Sequence, residues 1–163
     1  MRISDYLKKE FCIMDLKAST KEEAIRELAY VLKPSGKIKD SEDFIKHILE
    51  REALGSTGIG NRVAIPHSPS ESVEGLVVAF GRSIRGIDFQ SIDGEEVNFI
   101  FLMGTHPSDL NIYLKLLATL SKLLNDRLFR EEFVRVDTPG GVIDLFKKHE
   151  EGIEAVKGGR TGA

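Results

Sequence analysis

Two continuous apolar runs constrain the fold of this chain more than any other feature of its sequence. Residues Leu76–Phe80 and Val97–Met103 contain only one polar side chain between them, Asn98. Short, almost entirely apolar runs rich in valine and aromatic residues are typical of strands that are covered on both faces. The sequence therefore predicts a sheet that lies buried between layers of helices.

Helical patterns precede and follow these runs. A capping box formed by Ser19 with Glu22, or by Thr20 with Glu23, opens a helix with apolar residues at helical spacing. Asp40-Ser41 is predicted to cap a second helix that ends near Glu52. A short strand is predicted at residues 63–65 and a polar loop at 68–74. Three further helices are predicted at 110–124, 126–134 and 139–149.

This alternation of helices and buried strands indicates the fold class. It predicts an α/β single-domain sandwich with a mixed, largely buried β-sheet flanked by helices. The domain should occupy residues 1–150. Residues 151–163 are rich in glycine and polar side chains, so we expect a disordered tail there.

Composition narrows the possible functions. The 163 residues carry a net charge of −3, so there is no basic excess for binding nucleic acid. The single cysteine, Cys12, excludes an internal disulfide, and the four histidines lack metal-ligand spacing. We therefore expect no metal and no cofactor. The apolar runs are too short to cross a bilayer and no apolar leader follows Met1, so we expect a cytoplasmic protein without direct membrane insertion.

The residues best suited to chemistry lie between the second helix and the predicted strand at 63–65. Arg51 ends the helix, three glycines and two hydroxyls follow in residues 55–60, and His67 stands directly behind Pro66. The segment lacks the lysine of a phosphate-binding P-loop, the glycine order of a dinucleotide fingerprint and the serine setting of a nucleophile elbow. The segment therefore matches none of these three motifs, and His67 remains as the candidate nucleophile.

A neutral imidazole has a free nitrogen lone pair near neutral pH and can carry a covalent adduct. If the adduct is a phosphoryl group, Arg51 could supply positive charge. Ser56, Thr57 and Gly58 in the glycine loop could supply hydrogen-bond donors. From spacing alone, a tight turn beside a structural histidine explains the same residues, and that alternative stays open.

A longer pattern resembles the fructose/mannitol-type (type 2) enzyme IIA domains of the phosphoenolpyruvate-dependent sugar phosphotransferase system, which include nitrogen-regulatory relatives. The matching segments are Arg51-Glu52, Gly55–Asn61, Val63–His67, Phe80–Ser83, Gly86–Phe89, Asp93-Gly94 and Leu114–Leu124. The resemblance extends to about Lys148. It implies a phosphotransferase component in which His67 accepts a phosphoryl group from the phosphocarrier protein HPr. An enzyme IIB domain would receive the group next, and Arg51 matches the active-site arginine of the family.

The sequence departs from the family pattern at one functional position. The family commonly has a second active-site histidine where this chain has Tyr113, whose hydroxyl could donate a hydrogen bond to a phosphoryl oxygen or could simply begin an apolar helix face. His106 lies in the loop that follows the predicted strand Val97–Met103. Because ligand sites favour the carboxyl ends of strands, it could lie near the site. The alternative function is a nitrogen-regulatory type of enzyme IIA, which controls a target protein through its phosphorylation state without sugar transport. The sugar is not predicted.

Overall fold

The computed structural model describes the backbone of residues 2–161 and the side chains of residues 2–151. The helices are α1 (Ile3–Tyr6), α2 (Lys21–Val31), α3 (Ser41–Leu54), α4 (Leu110–Asn125), α5 (Arg127–Phe133) and α6 (Pro139–Thr161). The strands are β1 (Cys12–Ile13), β2 (Gly58–Gly60), β3 (Val63–Ala64), β4 (His67–Pro69), β5 (Leu76–Ile87) and β6 (Val97–Thr105). This arrangement confirms the predicted α/β sandwich.

The strands form one mixed sheet with the two predicted apolar runs at its centre. Its order is β1-β5-β6-β3-β2, and β4 also pairs with β6. Strands β5 and β6 are antiparallel, whereas β3 and β4 both run parallel to β6. Two short strands, β3 and β4, therefore run alongside β6, and residues 65 and 66 lie between them.

Two residues of β6 on opposite faces of the sheet, Phe101 and Gly104, show what covers each face. The ring of Phe101 packs against Phe133 of α5 and Phe146 of α6. On the other face, a Cβ added to Gly104 would lie 2.5 Å from the nearest atom of the Phe44 ring of α3, so only glycine allows this close approach. Helices thus cover both faces, which explains why the runs Leu76–Phe80 and Val97–Met103 at the centre of the sheet are almost entirely apolar.

The helix caps follow the predicted residues. The Thr20 hydroxyl accepts a hydrogen bond from the backbone N–H of Glu23, and the Asp40 carboxylate accepts one from the N–H of Asp43. Of the two capping boxes proposed for α2, the structure uses Thr20 as the cap. The Glu23 carboxylate also accepts from the backbone N–H of Ser19 at 2.9 Å.

Strand lengths were the weakest part of the sequence prediction. Residues 68 and 69, predicted as loop, continue β4 because they pair in parallel with Gly104 and Thr105 of β6. Residues 58–60, predicted as part of a glycine loop, form β2 because they pair with β3. Strand β5 continues to Ile87, well beyond the apolar run, and its later residues range from buried to exposed.

Helix α6 is assigned to Thr161, which overlaps the tail predicted to be disordered at residues 151–163. The side chains from residue 152 onward, and residues 162 and 163 entirely, lie outside the described residues. The disordered tail therefore stays a prediction. Within the described part of the chain, no helix is both long enough and apolar enough to cross a membrane.

Candidate functional site

His67 is placed by the pairing between β4 and β6. It lies in register with Met103, whose backbone N–H donates to the carbonyl of Pro66 at 3.0 Å. Pro66 itself has no N–H, and its ring fixes the backbone just before the histidine. The sheet and the proline together set the position from which the imidazole extends.

The imidazole of His67 makes one short hydrogen bond to the main chain. Its Nδ1 lies 2.6 Å from the carbonyl oxygen of Ile65. A carbonyl oxygen can only accept, so this bond places the ring proton on Nδ1. The neutral ring then has its lone pair on Nε2, which is the nitrogen available to act as a nucleophile.

Burial favours the neutral form of this ring. The side chain is half-buried, and loss of water is the largest cause of a lowered pKa for His67. The charge of Arg51 lowers the pKa further, whereas the Ile65 hydrogen bond and the charge of Glu52 act in the opposite direction. The net effect is a pKa below the ordinary value, so His67 is neutral at physiological pH.

Arg51 stands at the end of α3, where the helix meets the glycine-rich segment. Its Nη1 donates to the carbonyl oxygen of Gly55 at 2.9 Å. Its positive charge acts to lower the pKa of both His67 and Tyr113. The structure thus brings together three of the predicted site residues.

Tyr113 packs beside His67 with its ring centroid 6.1 Å away and its plane tilted by 52°. The residue is 3% exposed, and its hydroxyl makes no hydrogen bond to any group in the described part of the chain. Burial raises the pKa of this hydroxyl well above its usual range, and the charge of Arg51 opposes the shift only in part. Tyr113 therefore presents a neutral O–H that is available as a donor.

Three predicted phosphoryl ligands already have partners in the protein. The hydroxyl of Ser56 donates to the carbonyl of Phe89 and accepts from the N–H of Gly58 at 3.0 Å. Thr57 donates both its hydroxyl and its N–H to the carboxylate of Glu52. The glycine-rich segment is therefore held by internal hydrogen bonds that use the Ser56 hydroxyl, both donors of Thr57 and the N–H of Gly58.

His106 does not join this group of residues. Its Nδ1 lies 2.7 Å from the hydroxyl of Ser108 and accepts from the backbone N–H of the same serine. It follows β6 three residues beyond Met103, the partner of His67, which corresponds to roughly 10 Å along a strand. The structure gives no contact between the two imidazoles.

Glu52 and Lys21 were not predicted as site residues, although Glu52 belongs to the matching pair Arg51-Glu52. The Glu52 carboxylate is buried and lies 3.0 Å from the Lys21 ammonium. A signal was present, because Glu52 follows the buried residues Ile45 and Ile48 at helical spacing. Among the described residues, no group of histidine, cysteine and acidic side chains could hold a metal ion.

A comparison with known protein families shows to which family this chain belongs. The family model described as "Phosphoenolpyruvate-dependent sugar phosphotransferase system, EIIA 2" matches residues 5–149. The chain belongs to this family. It is thus a phosphotransferase-system component of the enzyme IIA type 2 class, as the sequence resemblance implied.

Individual enzyme IIA relatives include transport proteins and regulators. A fructose-specific EIIABC component from Bacillus subtilis is 33% identical over 93% of this chain, which spans only 24% of that relative's length. A nitrogen regulatory protein from Bradyrhizobium diazoefficiens is 35% identical over 78% of this chain and 82% of its own length. The chain therefore corresponds to a small part of some relatives and to most of others.

Solved enzyme IIA structures share the fold. The nitrogen regulatory protein IIA-Ntr from Neisseria meningitidis superimposes with a TM-score of 0.82 at 26% identity, covering 88% of this chain and 98% of that structure. A complex of mannitol enzyme IIA with phosphorylated mannitol enzyme IIB from Escherichia coli matches with a TM-score of 0.74 at 23% identity, covering 87% and 97%. The second similarity is one of fold.

Proposed function

We propose that this chain is a phosphocarrier that accepts a phosphoryl group on Nε2 of His67. The observation that carries the proposal is the 2.6 Å bond between Nδ1 and the Ile65 carbonyl, which leaves Nε2 as the nucleophilic nitrogen. The lowered pKa of His67 supports the same role, because only the neutral ring can attack phosphorus.

Phospho-HPr is the proposed donor. Nε2 of His67 attacks the phosphorus, the N–P bond to the donor histidine breaks, and a new N–P bond forms on this chain. Nδ1 keeps its proton throughout, so the phosphorylated ring carries positive charge next to the Ile65 carbonyl oxygen. Attack by an acceptor then expels a neutral imidazole, which makes His67 a good leaving group in the second transfer.

Arg51 and Tyr113 are proposed to bind the phosphoryl oxygens. A guanidinium stabilises the negative charge that these oxygens carry in the transition state. The Tyr113 hydroxyl is buried beside His67 without a partner among the described groups, so a phosphoryl oxygen would supply the acceptor that it lacks. Ser56, Thr57 and Gly58 take a supporting role because their donors are already used.

An enzyme IIB domain is the proposed acceptor, as in the Escherichia coli mannitol complex. The segments that carry the site also expose apolar side chains suited to transient docking. These are Leu54 at the end of α3, Ile59 in β2 and Leu114 in α4. A regulatory target protein is the alternative acceptor, and it would bind without onward transfer.

The test is intact-mass analysis after incubation with phosphoenolpyruvate, enzyme I and HPr. We expect one acid-labile phosphoryl group on the wild type and on His106→Ala, and none on His67→Ala. Nitrogen-15 and phosphorus-31 NMR would then identify the linked nitrogen as Nε2. Labelling of His67→Ala, or a linkage through Nδ1, would refute the proposal. Chase of the labelled protein with an enzyme IIB domain separates transport from regulation.

A further inference from the structure

The buried carboxylate of Glu52 is hydrogen-bonded to the glycine-rich segment of the site. The side chain of Glu52 is 3% exposed, and it accepts hydrogen bonds from the Lys21 ammonium at 3.0 Å, the Thr57 N–H at 3.2 Å and the Thr57 hydroxyl. A carboxylate in such a place is costly unless it is paired and hydrogen-bonded. Here one charge and two dipoles converge on it from different segments of the chain.

These contacts continue, bond by bond, to the imidazole. The carbonyl of Thr57 accepts from the N–H of Ile65 at 3.0 Å, and the carbonyl of Ile65 accepts from Nδ1 of His67 at 2.6 Å. A hydrogen-bonded path therefore runs from Lys21 through Glu52, Thr57 and Ile65 to the histidine. Lys21 is anchored as well, since its ammonium lies 5.3 Å from the centre of the Phe89 ring.

We propose that Lys21, Glu52 and Thr57 form a positioning relay that fixes the Ile65 carbonyl and thereby holds the proton of His67 on Nδ1. The proposal rests on the proposed phosphocarrier function and adds residues that act through Ile65, without touching the phosphoryl group themselves. The relay matters because a proton on Nε2 would remove the lone pair that attacks phosphorus.

The sheet alone does not account for the direction of this carbonyl. Strand β6 holds the neighbouring carbonyl of Pro66 through the N–H of Met103. Among the described residues, no backbone N–H of β6 donates to the Ile65 carbonyl, whose partner is Nδ1 of His67. The bond from the Ile65 N–H to Thr57 holds the other side of the residue, and Thr57 is in turn held by Glu52.

The charge of Glu52 has a second consequence for His67. The charged and titratable groups that act on the ring are Arg51 and Glu52 from α3, and Tyr113 packs against it from α4. Arg51 disfavours a positive ring, whereas Glu52 favours it. Because the phosphorylated ring is also positive, the same carboxylate stabilises the carrier state.

Four substitutions test the relay. Glu52→Gln removes the charge at nearly constant volume, Thr57→Val removes the hydroxyl, and Lys21→Met removes the ammonium, which Lys21→Arg keeps. The control is Glu50→Gln, which removes the same charge from an exposed position on the same helix. The readouts are the tautomer and titration of His67 by nitrogen-15 NMR without phosphate, and the kinetics of transfer from phospho-HPr.

We expect Glu52→Gln, Thr57→Val and Lys21→Met to increase the Nε2–H tautomer and to lower kcat by about 10- to 100-fold. KM should stay within about twofold, because docking is unaffected. Glu52→Gln should also move the acid limb of transfer to lower pH. Lys21→Arg should retain the wild-type tautomer, and Glu50→Gln should change neither readout.

If the tautomer and pH profile of folded Glu52→Gln and Thr57→Val match those of Glu50→Gln, the relay is refuted and these residues only stabilise the fold. The NMR measurement needs no phosphoryl donor. A wild type that shows the Nδ1–H tautomer but accepts no phosphoryl group would therefore refute the proposed function and leave the relay standing.

Discussion

Tyr113→Phe removes one oxygen atom from a side chain that is 3% exposed and leaves the packing of its ring in place. In the unphosphorylated protein this hydroxyl has lost water without gaining a partner among the described groups. An unpaired buried polar group costs about 1–3 kcal/mol. We therefore expect Tyr113→Phe to raise the free energy of unfolding by about 1 kcal/mol, which corresponds to roughly 2–4 °C in Tm for a chain of this length.

The same substitution should slow phosphoryl transfer. If the hydroxyl donates to a phosphoryl oxygen, its removal loses a hydrogen bond to a charged group, worth about 1.5–3 kcal/mol. The expected loss in transfer rate is therefore roughly 10- to 150-fold. Greater stability with weaker activity is the combination expected of a polar group that is retained for function.

Urea denaturation of the unphosphorylated protein and rapid-quench transfer from phospho-HPr measure the two effects. The matched control is Tyr30→Phe, because the Tyr30 hydroxyl is exposed and donates to Glu42 at 2.5 Å. This control should lose a little stability, because it removes the hydrogen bond to Glu42, and should keep its transfer rate. If Tyr113→Phe lost stability as the control does and transferred at the wild-type rate, the reasoning about the unpaired hydroxyl would be wrong.

Three further predictions concern the same site. Arg51→Lys should lower transfer by about tenfold, because an ammonium cannot reproduce the planar fork of a guanidinium; quench-flow rates equal to wild type would remove Arg51 from the mechanism. Gly58→Ala should cost about 1–3 kcal/mol in urea denaturation, because the new Cβ would lie 2.9 Å from Cβ of Ser91, and an unchanged midpoint would contradict this clash. Because burial lowers the pKa of His67, the unfolded chain binds more protons below about pH 6.5, so stability should fall as pH drops through that range. His67→Ala should lose less stability there, and equal losses would assign the effect to other groups.

The sequence predicted those features that depend on local pattern. Buried strands were predictable from the runs at Leu76–Phe80 and Val97–Met103, because a strand covered on both faces needs apolar residues throughout. The caps at Thr20 and Asp40 were predictable because each depends on residues within one helical turn. The position of His67 after Pro66 was also local.

Features that depend on distant segments were not predictable from pattern. The hydroxyl of Ser56 finds its acceptor at Phe89, and the carboxylate of Glu52 finds its cation at Lys21. Both pairings require the folded sheet to bring the segments together. The glycine-rich segment therefore looked like a set of free donors, although the structure uses these donors internally.

The position of Tyr113 changes the expected charge balance of the site. A histidine there could become a cation, whereas burial keeps the tyrosine hydroxyl neutral and protonated. In the proposed mechanism, the phosphoryl charge is then balanced by Arg51 and by the positive ring of His67 itself, with the hydroxyl adding a neutral hydrogen bond. Titration of a second site residue near neutral pH would not contribute to the rate. The pH dependence of transfer on this chain should therefore report His67 more directly than it would in a relative that has two histidines.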